Sequence, residues 1–153
     1  GWSQRAYDEY GYEFGTPASR LRDLRDALPV IEARLAKLNP PPVRKMPILI
    51  GGGGEKITLR LVAEHADIWH CNADNEGLLH KIQVLDDWCK KLGRDAASIE
   101  RSTGVGAATK LTDADTWVDA GYSLFTYRSS GPEWDLAPVA DWLAWRDDKN
   151  KGR

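Results

Sequence analysis

Cysteine is nearly absent: Cys71 and Cys89 are the only two in 153 residues. Their spacing matches no CxxC motif, so the chain carries no cysteine-based metal or redox signature, and both read as buried free thiols in a reducing compartment. Long apolar runs are also lacking. No stretch approaches the ~20 residues needed to cross a bilayer, and the N-terminal stretch lacks the basic-then-apolar layout of a signal peptide. No membrane partner is expected, and the protein is expected in the cytoplasm. Basic charge is not in excess either: the formal net charge is −2 and the pI is near 5.9. That balance argues against nucleic acid as the main partner and leaves a small molecule or another protein.

What is present is an ordinary globular composition, 42% apolar and 29% charged, in a chain of a size that fits one domain with a real core. Tryptophan is abundant, with seven residues at positions 2, 69, 88, 117, 134, 142 and 145. Most read as packing anchors. Trp69 is set apart because it falls at the end of an apolar segment.

The apolar positions Leu21, Leu24, Leu28, Ile31 and Leu35 predict an amphipathic helix over 16–38, stopped by Asn39 and the prolines Pro40, Pro41 and Pro42. A short apolar run over 47–50 reads as a buried parallel strand. A helix over 55–65 follows, opened by glycines, then a strand over 66–71. Leu78, Ile82, Leu85, Trp88 and Leu92 place the next helix over 75–92, with Gly93 as its stop. The chain then reads as a strand over 101–108, a helix over 112–120 capped by Thr112 with Asp115 completing a partial capping box, a strand over 122–127, and a helix over 132–148 that restarts near Pro138.

Alternation of this kind implies an α/β fold with a parallel sheet and right-handed crossovers. Four such strands with every crossover on one side leave a sheet face and both edges bare. The expectation is either half of a larger closed barrel or a dimer in which two halves complete one.

The most informative stretch is "PILIGGGGEKITLRLVAEHADIWH", in which Gly51, Gly52, Gly53 and Gly54 separate a strand from a helix. A glycine turn there lets backbone N–H groups approach an anion, and the helix N-terminus adds about half a unit of positive charge. Phosphate binding is the functional reading, and a tight turn that merely needs glycine conformations is the alternative. The stretch lacks the GK[ST] ending of a P-loop and the GxGxxG of a dinucleotide fold.

In a (β/α) barrel, function gathers where strands end. Four clusters fall there: 51–55; Trp69, His70, Cys71 and Asn72; 107–110; and Tyr127, Arg128, Ser129 and Ser130. His70 is a candidate acid, base or orienting group, or else a polar rim residue. No second histidine or carboxylate pairs with it in sequence, so nothing there suggests a metal. Arg128 is suited to holding an anion, or to a surface salt bridge. Glu64, Asp67, Lys56 and Lys110 read as solvated or structural.

The segments "GWSQRAYDEYGYEFGTPASRLRDLRDALPVI", "NPPPVRKMPILIGGGGEKITLRLVAEHADIWH" and "SLFTYRSSGPEWDLAPVADWLAWRD" together resemble the luciferase-like monooxygenase superfamily, and in particular its oxidoreductases dependent on coenzyme F420. The resemblance implies a TIM barrel of which 1–153 is a single domain of about four β/α units, the second, C-terminal half. Gly1 and Trp2 are similar to the turn that closes the fourth strand in that family. On this view the chain is a natural half-barrel or a fragment whose N-terminal half is absent.

The resemblance further implies that Gly52, Gly53, Gly54 and Glu55, with Gly51 leading into them, offer N–H groups to the phosphate of F420 or alternatively FMN, and that Thr58 adds its hydroxyl. Trp69 and His70 are then expected beside the substrate or the flavin-like ring, with Arg128 farther out. The implied function is a flavin- or deazaflavin-dependent oxidoreductase acting on a small molecule. The residues nearest hydride transfer belong to the first half of such barrels, so this chain supplies the cofactor-phosphate side. The alternative is a non-catalytic half-barrel that dimerises through its open sheet.

Overall fold

A computed structural model describes residues 3–129, 131–132 and 134–151. The chain divides into two compact units, Gly1–Met46 and Pro47–Arg153. Gly1, Trp2 and Ser130, all named in the sequence reading, lie outside the described residues.

The first unit holds two helices, α1 (Gln4–Tyr10) and α2 (Pro17–Leu35). Gly11 ends α1 in the left-handed conformation, at φ 70°, and its N–H returns to Asp8. Thr16 starts α2 through a reciprocal capping box: its hydroxyl accepts from the Ser19 N–H at 3.1 Å, and the Ser19 hydroxyl accepts from the Thr16 N–H at 2.9 Å. The helix runs through Pro29 and ends at Leu35, three residues before the expected stop, so the prolines at 40–42 are not what terminates it. Phe14 packs edge-on to Tyr7 at 5.1 Å, with the Arg20 guanidinium 3.7 Å from its ring centre.

The second unit alternates strand and helix: β1 (Leu49–Gly51), α3 (Thr58–His65), β2 (Ile68–His70), α4 (Asn75–Leu92), β3 (Glu100–Val105), α5 (Leu111–Asp119), β4 (Tyr122–Tyr127) and α6 (Ala137–Lys149). The strands form one parallel sheet in chain order, open at both β1 and β4. This is the expected α/β arrangement of a partial (β/α) barrel.

Successive strand residues point to opposite faces, so residues in register share a face. One such row is Ile50, Trp69, Arg101 and Tyr122. Arg101 donates to Asp86 of α4 at 2.6 Å and to the Ala120 carbonyl at 2.9 Å, which identifies this as the helix-covered face. Leu59 and Val62 of α3 and Leu78 and Leu85 of α4 are fully buried there, each stabilising the fold by roughly 1.5–3 kcal/mol. Arg94 closes the end of α3 by donating to the Ala63 and Ala66 carbonyls at 3.1 and 2.6 Å.

Farther along the sheet, Phe125 gathers Trp117, Trp142 and Trp145 within 5.4–6.4 Å, which is the packing role expected for most of the tryptophans. Trp117 donates to Asn75 and Trp145 to Asp115, each at 2.8 Å. Lys149, which also reaches Asp115 at 2.8 Å, and the Trp145 indole together hold that carboxyl below the usual carboxylate range.

Several boundaries differ from the pattern reading for local reasons. The third helix begins at Thr58 instead of 55, because the Gly54 carbonyl accepts from Leu59, five residues on, and makes a wide turn of 55–57. The fifth begins at Leu111 with Lys110 as its cap, so Thr112 lies inside it and caps nothing; its carbonyl accepts from the Thr116 hydroxyl. Strand β3 stops at Val105, because Gly106 opens a turn closed by Thr109. The last helix starts at Ala137, with Pro138 in its first turn where a missing N–H costs little.

Candidate functional site

Trp69 and His70 are neighbours on β2 and therefore face opposite ways. Trp69 is fully buried on the helix-covered side, its ring 6.1 Å from that of Tyr122. It presents no surface to a ligand, so the expectation that it lies beside the substrate or ring is corrected. Its indole N–H instead donates to the Gly52 carbonyl at 2.9 Å, bracing the glycine turn from below.

His70 lies on the other face in register with Gly51 and Ser102. Its Nδ1 is 2.9 Å from the buried Ser102 hydroxyl, which fixes the ring and leaves Nε2 as its outward atom. Gly51 places no side chain next to it: a Cβ there would come no closer than 3.9 Å to anything, at the His70 carbonyl. Two residues on, the Asn72 carboxamide oxygen accepts from the Gly104 N–H at 2.8 Å. A side chain at Gly104 would evict it, since a Cβ would sit 2.7 Å from that oxygen.

The four glycines serve different ends. Gly52 has φ 125°, a conformation that side-chain-bearing residues avoid. Gly53 needs closeness, because a Cβ would meet Cys71 Sγ at 3.1 Å and Lys81 Cε at 3.5 Å. Gly54 packs on Thr58, whose hydroxyl would lie 2.8 Å from an added Cβ. The Gly52 N–H donates to the His70 carbonyl at 2.9 Å, so it is a sheet donor and not the anion donor the resemblance implied.

The remaining donors are oriented by the carbonyls before them. In a trans peptide, C=O and the following N–H point in opposite directions. The Gly52 carbonyl is taken by Trp69, the Gly54 carbonyl by Leu59 N–H at 2.9 Å, and the Glu55 carbonyl by Trp88 Nε1 at 2.8 Å. The N–H groups of Gly53, Glu55 and Lys56 are thereby turned the other way, and among the described residues they have no acceptor. With Gly54 N–H they are four successive amides of the turn that leads into α3, backbone donors of the kind by which loops bind anions.

The Glu55 side chain is not among those donors. Its carboxylate pairs with Lys81 and lies 3.1 Å from His80 Nε2, both on α4. The hydrogen bond from Lys81 is the main reason its carboxyl is held below the usual range. Pattern reading missed Lys81, His80 and Trp88, which appear in the sequence only as surface and core positions of a helix. Their shared tie to residue 55 is a tertiary fact.

Thr58 is nearly buried at the first residue of α3, just after these amides. Arg128 follows β4, exposed, with its N–H on the Val105 carbonyl at 3.1 Å and its guanidinium without a partner among the described residues.

A comparison with protein families matches residues 1–151 to luciferase-like monooxygenase. The chain belongs to the luciferase-like monooxygenase family. Comparison with curated proteins gives no match. As a luciferase-like monooxygenase, the protein is a flavin-type oxidoreductase at the level the family defines. Its turn amides and Arg128 follow the C-terminal ends of parallel strands and His70 is the last residue of one, the end at which barrel enzymes hold their ligands. Among the described residues no helix is long and apolar enough to cross a membrane.

Proposed function

We propose that this chain is the C-terminal, cofactor-phosphate half of an F420-dependent oxidoreductase, with FMN as the alternative cofactor, acting on a small molecule. The observation that carries the reading is the run of N–H groups at Gly53, Gly54, Glu55 and Lys56, three of them oriented by tied carbonyls, ahead of the α3 N-terminus. The residues fit a phosphate: they are donors, the Glu55 carboxylate is engaged by Lys81 and His80, and Thr58 stands at the first residue of α3 with a hydroxyl to add. When bound, the cofactor supplies the redox chemistry, hydride transfer for a deazaflavin or oxygen activation for reduced FMN. His70, locked by Ser102, offers Nε2 on the face that Gly51 leaves free, and Arg128 offers a guanidinium to an anionic group.

The test is a fluorescence titration with each cofactor and its phosphate-free counterpart, F420 against its deazaflavin core and FMN against riboflavin. At least tenfold tighter binding of a phosphate form is expected. Equal affinities would overturn the phosphate assignment.

A second reading, a non-catalytic half-barrel that dimerises, is favoured by the unpaired strand edges and by Leu49, which is 52% exposed on the His70 face. Light scattering separates them: a stable dimer that takes up neither cofactor supports this reading, and a species that binds F420 or FMN supports the first. An N-terminal half supplied by another segment would restore turnover only under the first.

A further inference from the structure

The turn amides are held by an element outside the loop. Glu55 is joined to three side chains of α4: its carboxylate to Lys81 and His80, and its carbonyl to Trp88 Nε1 at 2.8 Å. Lys81 and Trp88 are seven residues apart, two turns of the same helix face. The Lys81 stem passes along Gly53, and Cys71 Sγ lies close against the same glycine. The loop is thus pinned between α4 and the end of β2.

We infer that Lys81 and Trp88 are positioning residues that prepare this loop for an anion, acting through Glu55; the inference rests on the phosphate reading above. Trp88 fixes the peptide that follows Glu55 and so aims the Lys56 N–H. Lys81 acts on charge. Glu55 is a carboxylate within the very stretch whose amides face the ligand, and left loose it would repel a phosphate. Lys81, with His80 beside it, draws the carboxylate toward α4 and neutralises it. Because Lys81 already answers Glu55, its contribution to phosphate affinity is indirect, and removing both partners together should restore most of what removing Lys81 alone loses.

The test measures FMN and riboflavin affinity in wild type, Lys81→Met, Glu55→Gln and the double variant. Lys81→Met is expected to weaken FMN roughly tenfold while riboflavin is unchanged, since a nearby unscreened charge acts on the phosphate alone. The double variant is expected to return to within about threefold of wild type. A double variant as weak as Lys81→Met, or a parallel loss of riboflavin, would overturn the inference.

If wild type instead prefers F420 over its deazaflavin core, the same four proteins are titrated with that pair and the same outcomes apply; if it prefers neither phosphate form, the phosphate reading fails, and the clamp is judged in the cofactor-free protein by amide exchange at Leu59, whose N–H closes the turn on Gly54. Trp88→Phe should speed that exchange about tenfold and leave β3 amides unchanged. An unaltered Leu59 rate would overturn the clamp.

Discussion

Replacing Gly51 and Gly52 separately with alanine should give very different proteins, although the two glycines are adjacent. At Gly52 the backbone has φ 125°, and a new Cβ would come within 3.3 Å of Thr58 Cγ2. Holding a non-glycine residue in so sparsely populated a conformation costs roughly 1–3 kcal/mol. Relief by rotation is blocked on both sides, because the Gly52 N–H is bonded to His70 and its carbonyl to Trp69. At Gly51 the backbone is ordinary strand, the nearest atom to a Cβ is 3.9 Å away, and alanine replaces glycine within β1. That change should be within about 0.5 kcal/mol of neutral. For a chain of this size 1 kcal/mol moves the melting temperature by about 2–4 °C, so Gly52→Ala should melt roughly 2–12 °C below wild type and Gly51→Ala within about 2 °C of it. Thermal unfolding followed by circular dichroism measures both. Equal shifts for the two variants would refute the assignment of separate roles within the glycine run.

Trp69→Phe keeps a ring in the core but removes the indole donor to Gly52, and should cost about 1–3 kcal/mol in denaturant unfolding. Cys71 and Cys89 are buried and burial raises both thiols above the ordinary range, so neither should react with a thiol-specific disulfide reagent at pH 8 until denaturant is added, when both should. The Lys81 hydrogen bond lowers the Glu55 carboxyl, so the clamp is complete above the ordinary glutamate pKa of about 4.3 and is lost as pH falls through the lower folded value. Amide exchange at Leu59, corrected for intrinsic rate, should rise relative to that of β3 in that acid window in wild type and not in Glu55→Gln.

The order of strands and helices was legible because hydrophobic period and glycine stops are local signals. Helix 75–92 was read to the residue, from five apolar positions at helical spacing and Gly93, which takes the left-handed C-cap at φ 69°. Boundaries set by side chains from elsewhere were not legible. The third helix starts late because the Gly54 carbonyl accepts from Leu59 and the Glu55 carbonyl from Trp88, and no local pattern records an indole 33 residues away. Within the site, the glycine run and His70 stood out by type and position. Trp69 was set beside the ligand by its place at a strand's end and by the resemblance, neither of which tells the two faces of a three-residue strand apart. Ser102 and Gly104 passed unnoticed, since their importance lies in register with His70 and in contact with Asn72.

The central claim is that amides of the turn after β1 hold a cofactor phosphate. Its most direct test is a titration of isotopically labelled protein with F420 and with FMN, following the backbone amide signals of Gly53, Gly54, Glu55 and Lys56 by nuclear magnetic resonance. The account predicts that one of the two cofactors shifts these four signals more than the amides of Gly52 and of β3, and that its phosphate-free counterpart does not. Shifts confined to other residues, or none at saturating concentrations of either cofactor, would contradict it.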